Sequence, residues 1–272
     1  MNLQALIDSA ANLPSIPKVV QELIESFGSD DFDIDDIAKK VSADQALTAK
    51  VLRLANSAKF GGNRTIGSVN DAIVRMGFDA LRTLVLASCF TSSFKAPPGF
   101  DLTRFWRHSF MVANRSKWVA HYTKENAEVA YTCGMTHAIG ELLIHIIMED
   151  QAAGIDLLVQ QGADREELEK SQLGFDFTEA GEALATRWKF PKEICDAIRW
   201  HTHCLEAPED SALADIVAIA SYLTKHAESD KKELLENFPN DIAKRLKINL
   251  VEMLSCLNQL ETVDQGIEEL IG

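Results

Sequence analysis

Hydrophobic residues recur along this chain at steps of three and four, and strict alternation of apolar and polar residues is scarce. Such spacing places apolar side chains on one face of a helix. The stretch that begins at Val19 and the stretch that ends at Ala58 both follow it. Residues 80–94 are apolar nearly all round, which is typical of a buried helix. The pattern therefore predicts an all-α fold.

Local signals mark where several of these helices begin and end. Ser, Thr, Asp and Asn favour helix N-termini, glycine favours C-termini, and proline is tolerated in the first turn. The sequence predicts N-terminal capping at Ser68–Asp71 and Asp176–Glu179, termination at Gly77, and first-turn prolines at Pro17 and Pro191.

The clearest interruption is KAPPGF, Lys95–Phe100, because two prolines and a glycine cannot continue a helix. We place a boundary between two lobes there. Residues 1–97 are expected to form an N-terminal lobe of four or five short helices, and residues 98–228 a second helical lobe. After a polar break that contains Pro239, residues 229–272 are expected to form one or two amphipathic helices packed on the body.

Composition excludes several classes of protein. Lys and Arg number 27 against 41 Asp and Glu, giving a formal net charge of -14, which argues against nucleic acid as a partner. No uncharged apolar run is long enough to span a membrane, and the first residues lack a signal-peptide pattern. Five cysteines without a C-x-x-C pair indicate neither a disulfide framework nor a zinc knuckle. We expect a cytoplasmic protein with no membrane segment.

Candidate chemistry first suggests itself in GMTHAIGELLIH, where His137, Glu141 and His145 are spaced by four residues. On one continuous helix they would share a face and could hold a metal or form a polar stripe. His145 lies two turns beyond His137, too far along the axis for one mononuclear site, so Glu141 and His145 are expected to be exposed or hydrogen-bonded. Cys133 shares this spacing but lacks an orienting third group, so a buried, inert thiol is expected.

A resemblance to a known family emerges from motifs that occur in order along the chain. They are VSADQALTAKVLRLANSAKFG, IGSVNDAIVRMGFDALRTLVLAS, FWRHSFMVA, GMTHAIGELLI and the run ending in IRWHTH. Together they are similar to the HDOD domain, a branch of the HD superfamily of metal-dependent phosphohydrolases. The resemblance runs from about residue 12 to about residue 225. It implies two helical lobes, the second with an HD-like core.

The resemblance also implies where a catalytic HD site would hold its metals. Three histidines are retained, at His108, His137 and His201. Other ligand positions carry residues that are poor metal ligands, namely Ala138, Phe177, Thr202 and Ser221. Without carboxylates the site loses the anionic oxygens that a hydrolytic metal centre uses. We therefore expect no catalytic residue, metal or cofactor, with a divalent metal held weakly by the three histidines as the alternative.

The function implied is that of a non-catalytic bacterial signalling or regulatory module that acts by binding a signalling protein. One alternative is a divergent metal-dependent phosphohydrolase acting on a nucleotide or cyclic dinucleotide, and proteins of this kind are expected to be named provisionally as phosphohydrolases. Another is a nucleotide sensor without turnover. Oligomeric state stays open.

His203 is expected to point away from His201 on a continuing helix. The residues expected to line a pocket or bind a partner are His108, His137, His201, Trp106 and Trp200.

Overall fold

The computed structural model describes residues 2–9, 18–26, 33–56, 65–229 and 231–271. Within these ranges every regular element is a helix and no strand occurs. The all-α prediction is confirmed. Among the same residues, no helix combines the length and the apolar character needed to cross a membrane.

Six helices of the described ranges precede the proline-rich interruption, more than the four or five short helices predicted. The predicted ends are confirmed at Ser68, whose side chain accepts a hydrogen bond from the Asp71 N–H, and at Gly77, whose φ of 85° ends a helix. Pro17 lies outside the described residues. The six helices before the interruption are α1 (Leu3–Ser9), α2 (Lys18–Glu25), α3 (Ile34–Ala43), α4 (Gln45–Ala55), α5 (Val69–Met76) and α6 (Phe78–Ser93).

The middle of the chain holds the longest helix and the helices that surround the candidate site. Asp176 and Glu179 form the predicted capping box, each side chain accepting the other's backbone N–H. Pro191 immediately precedes its helix instead of lying in the first turn. The helices are α7 (Leu102–Ala120), α8 (Ala127–Thr136), α9 (Ile139–Ile147), α10 (Glu149–Gln160), α11 (Arg165–Leu173), α12 (Phe177–Arg187), α13 (Lys192–Trp200) and α14 (Ala212–Lys225).

The C-terminal segment differs from the prediction of one or two helices. Its described residues form five short helices and one 3-10 turn. Lys247 and Gly266 adopt positive φ angles of 58° and 82°, and such residues end helices instead of continuing them. The elements are α15 (Lys231–Glu236), α16 (Asn240–Arg245), α17 (Leu250–Ser255), the 3-10 turn (Leu257–Gln259), α18 (Leu260–Val263) and α19 (Ile267–Ile271).

The stretch GMTHAIGELLIH is not one helix. Helix α8 ends at Thr136 and α9 begins at Ile139, so His137 and Ala138 form a joint between them. The prediction that His137, Glu141 and His145 share one helical face is therefore wrong. The redirected chain brings Gly140 directly against the backbone of α12, a tertiary contact that periodicity along the sequence does not report.

Helix α7 forms the centre of the packing. It lies against α8 and α14, and the C-terminal helices α18 and α19 pack on it as well. Helix α1 contacts α9 and α12, and α19 also contacts α6. Elements from both sides of the proline-rich interruption therefore contribute to the support of α9 and α12, which carry part of the candidate site.

Candidate functional site

Three histidines that are far apart in sequence meet in one cleft of about 440 Å³. The ring centroids of His108 and His137 are 5.8 Å apart, and those of His137 and His201 are 5.2 Å apart. His137 and His201 are buried, whereas His108 stands at the open side. The structure thus brings together the three imidazoles that the sequence singled out.

Two of these histidines follow directly after the last residues of helices and are oriented by backbone carbonyls. His137 follows α8 and its Nδ1 lies 2.7 Å from the Gly134 carbonyl oxygen. His201 follows α13 and its Nδ1 lies 2.9 Å from the Ile198 carbonyl oxygen. A carbonyl oxygen can only accept, so in both neutral rings Nδ1 carries the hydrogen and Nε2 keeps its lone pair.

Burial keeps these rings uncharged at neutral pH. Loss of hydration lowers the pKa of His201 to about 4. It lowers the pKa of His137 well below its usual value, and the neighbouring His201 and His108 add to that effect. Partial loss of hydration also lowers the pKa of His108. The cleft therefore presents neutral imidazoles near pH 7.

The four positions at which the resemblance implied lost ligands all line this same cleft. Ala138 belongs to the α8–α9 joint, Phe177 begins α12, and Thr202 follows α13. Ser221 lies on α14, and its Oγ is buried without a hydrogen bond among the described residues. The retained histidines and the substituted positions are therefore parts of one site.

Three charged residues of the cleft were missed or misjudged from sequence. Glu141 lines the cleft, and one of its carboxylate oxygens lies 3.5 Å from the Arg165 guanidinium, which lines it too. Arg165 also contacts Asp156 at 2.5 Å. Lys225 lines the same cleft and is exposed, with no ion pair among the described residues. Nothing in the residue pattern distinguished Arg165 or Lys225 from ordinary solvated charges.

The remaining two histidines of the motifs lie outside the cleft. His145 is buried and, as expected, hydrogen-bonded: Nδ1 lies 2.8 Å from the Glu141 carbonyl oxygen and Nε2 2.9 Å from Asp156. The helix expected to carry His203 ends at Trp200, so the expectation of a continuing helix is wrong. His203 Nε2 instead lies 3.0 Å from the Glu166 carboxylate.

Neither tryptophan of the predicted pocket lines the cleft. Trp106 is 2% exposed and lies in an aromatic cluster, with its ring centroid 5.0 Å from that of Phe105 and 6.4 Å from that of Phe94. Trp200 lies beside the Arg199 guanidinium, which is 4.6 Å from the indole centroid. On α7, Trp106 and His108 are two residues apart, and such neighbours face different directions.

The donors of the cleft do not fit a hydrolytic metal centre. Such centres use anionic oxygens to hold one or two metal ions, and Glu141, the only carboxylate among the described lining residues, lies beside Arg165. The described part of the chain holds no group of three His, Cys, Asp or Glu side chains arranged to bind a metal. The unprotonated Nε2 atoms of His137 and His201 can still donate a lone pair to a metal, so weak binding of a divalent ion stays a prediction.

The family is decided by a match to a domain model. The HDOD domain model matches residues 13–204 of the chain. The chain belongs to the HDOD family. The predicted membership is confirmed. The matched region includes the three retained histidines and every substituted ligand position except Ser221.

Solved structures resemble this HDOD protein over nearly its whole length. A Shewanella amazonensis SB2B protein, provisionally named a phosphohydrolase, is 33% identical with a TM-score of 0.85 and covers 98% of each chain. An HDOD domain protein of unknown function from Geobacter sulfurreducens is 26% identical with a TM-score of 0.84, covering 99% of this chain and 98% of that one.

A curated relative is larger than this chain. An uncharacterized protein of Treponema pallidum (strain Nichols) is 24% identical over 254 residues, which is 92% of this chain and 49% of the relative. The chain therefore spans about half the length of that relative.

Proposed function

We propose that this HDOD protein is a non-catalytic signalling or regulatory module. Its cleft binds a partner and does not catalyse the hydrolysis of phosphate esters. One observation carries the proposal. The cleft holds a methyl group at Ala138 and a hydroxyl at Ser221, where the HD resemblance implies carboxylates. The partner we propose is a signalling protein.

Charge explains why this set of residues favours binding over hydrolysis. Hydrolysis of a phosphate ester requires an activated water and compensation of negative charge, which HD-like sites obtain from metal ions held by carboxylates. Here Ala138 and Ser221 stand at the carboxylate positions, so the neutral imidazoles remain without the anionic oxygens. Arg165 is already paired with Glu141 and Asp156, so the positive charge of the lining that has no ion pair among the described residues is Lys225. A positive charge at close range opposes the entry of a metal cation.

Two observations favour the alternative of a divergent phosphohydrolase. Three imidazoles converge in the cleft, and a relative of 33% identity is provisionally named a phosphohydrolase. A nucleotide sensor without turnover is the remaining candidate, since a cleft of about 440 Å³ is large enough for a small ligand.

Metal content and hydrolysis separate these functions. We expect purified protein to carry substoichiometric metal and to leave bis(4-nitrophenyl) phosphate intact in the presence of Mn²⁺. The double variant Ala138→Asp/Ser221→Asp is expected to gain stabilisation by Mn²⁺ in thermal unfolding, because it restores two anionic oxygen donors. Ala138→Asn/Ser221→Asn has nearly the same shape without the charge and serves as the matched control.

The opposite results would overturn the proposal. Stoichiometric metal on the wild-type protein, with hydrolysis that is lost in His137→Ala, would establish the phosphohydrolase. Thermal-shift measurements with nucleotides distinguish a sensor from a protein-binding module, because a ligand that binds only the native state raises the unfolding midpoint.

A further inference from the structure

A second cavity lies where α6, α7, α8 and α18 meet, and it has a volume of about 210 Å³. Its lining includes Ala80 from α6, Trp118 from α7, Tyr131 from α8 and Val263 from α18, and it shares no residue with the histidine cleft. Trp118 lies ten residues beyond His108 on α7, which is about 15 Å along the helix axis. The two cavities are therefore separate sites.

Charged groups in the wall of this cavity neutralise each other. The Glu128 carboxylate forms an ion pair with Lys117 and accepts a hydrogen bond from Thr83 Oγ1 at 2.9 Å. All three residues line the cavity. A charged ligand would have to compete with this arrangement for its partners, at the cost of leaving a partly buried charge unpaired. The cavity therefore favours an uncharged ligand.

One hydroxyl group in the wall makes no hydrogen bond with a described residue. It belongs to Tyr131, a lining residue whose side chain as a whole is 3% exposed. Burial raises the pKa of Tyr131, so the hydroxyl keeps its proton. This hydroxyl is consequently available to donate a hydrogen bond to a molecule in the cavity.

The aromatic walls favour a flat molecule. Trp118 is 5% exposed, and its Nε1 donates to Gln259 Oε1 at 3.1 Å, which fixes the indole plane. Apolar cavities of about 150 Å³ accept a benzene molecule, so this one is large enough for a substituted or fused ring. We propose that the cavity binds a neutral aromatic molecule of one or two rings that offers one hydrogen-bond acceptor to Tyr131.

Matched small probes test each part of this proposal on the full chain. With ¹⁵N-labelled protein, phenol is expected to cause saturable shifts of the Ala80 and Val263 amide signals. Benzoate, which carries a charge, is expected to bind at least about tenfold more weakly, because its carboxylate would be left imperfectly paired in the cavity. Tyr131→Phe is expected to weaken phenol about fivefold, the value of one net hydrogen bond, and to leave toluene unaffected.

Blocking variants locate the binding. Ala80→Leu extends a side chain into the cavity and is expected to abolish saturable binding of phenol and toluene, whereas Ala80→Ser should keep it. Thr262→Trp obstructs the cavity from an exposed position and is used if Ala80→Leu does not fold. The proposal is overturned if phenol produces no saturable shifts at these amides, or if its affinity is the same in the blocked variants. Neither result bears on the proposed function of the histidine cleft.

Discussion

Glu169 is a carboxyl group with no exposed surface, located behind the histidine cleft. One of its oxygens accepts the Phe177 backbone N–H at 2.6 Å, and the other lies 3.4 Å from Arg165. Burial outweighs both contacts and raises the pKa of Glu169 to about 7. The first residue of α12, Phe177, is thus tied to a group whose charge changes near neutral pH.

Glu169→Gln is expected to flatten the dependence of stability on pH. The pKa of Glu169 in the folded protein lies above its ordinary value of 4.5. The stability contributed by the protonated carboxyl group is therefore complete below pH 4.5. It is lost as the pH rises through about 7. The loss approaches about 3 kcal/mol, from 1.36 kcal/mol per pKa unit. The free energy of unfolding measured by urea between pH 5 and pH 8 checks this.

The exposed Glu167 on the same helix provides the control. Glu167→Gln should leave the slope of stability against pH unchanged. At a pH below the ordinary histidine pKa, protonation of His137 and His201 in the unfolded chain lowers the free energy of unfolding. This effect is the same in every variant. Parallel pH profiles for the wild type and Glu169→Gln would show that Glu169 does not titrate in this range.

At the scale of single residues, the family resemblance located the cleft but not its electrostatics. It identified the histidines and the substituted positions correctly as members of one set. It could not indicate that Arg165 reaches Glu141, because α11 has the composition of a solvated charged helix. It also suggested Trp106, which is buried elsewhere, because motif proximity does not specify which way a side chain points.

Helices α9 and α12 approach each other so closely that only glycine fits between them. A Cβ at Gly140 would lie 2.0 Å from the Phe177 carbonyl oxygen and 2.4 Å from the Gly181 backbone nitrogen. Both obstacles are backbone atoms, which cannot be moved by a change of rotamer. This contact sets the position of Phe177 relative to the α8–α9 joint, and hence the width of the cleft.

Gly140→Ala is therefore expected to destabilise the protein by about 3 kcal/mol, at the upper end for an overpacked core. Gly154, on α10, is the matched control because a Cβ there would meet nothing within 4 Å. Gly154→Ala should be neutral or stabilise by about 0.5–1 kcal/mol, from helix propensity alone. Urea unfolding midpoints provide the measurement, and equal midpoints for the two variants would refute the tight contact.

At the scale of elements, periodicity and capping predicted helices well where local signals decide their ends. The caps at Ser68 and Asp176 are examples. Prediction failed where a tertiary contact decides. The apolar pattern runs unbroken through residues 134–145, so it could not reveal the joint at His137 and Ala138.

Two ion pairs fasten the C-terminal segment to α7, and their burial differs. The buried Arg115 guanidinium donates to Asp264 at 2.7 and 3.1 Å and to the Leu223 carbonyl oxygen. Arg107 donates to both oxygens of Glu268, but 47% of the arginine and 69% of the glutamate side chain are exposed. The two pairs allow the same chemistry to be compared in two environments.

Asp264→Asn is expected to destabilise the protein by about 3 kcal/mol, because it leaves the buried Arg115 charge without its partner. Glu268→Gln should cost less than about 1 kcal/mol, since water already solvates that pair. Thermal unfolding, together with the rate of proteolysis within residues 257–271, checks both values. Similar losses from the two variants would contradict the difference in burial.

The whole molecule also shows why a boundary in the sequence need not separate two independent units. The prolines and glycine at 97–99 do interrupt the helices, and the division into two lobes stays a prediction. However, Leu6 and Ile7 of α1 are buried, and α1 contacts α9 and α12 from the other side of that interruption. In a chimera that joins residues 98–272 to the first ninety-odd residues of a relative, α9 and α12 would therefore pack against an α1 of different sequence. Gene fusion in this family would have to preserve α1 and its docking surface together.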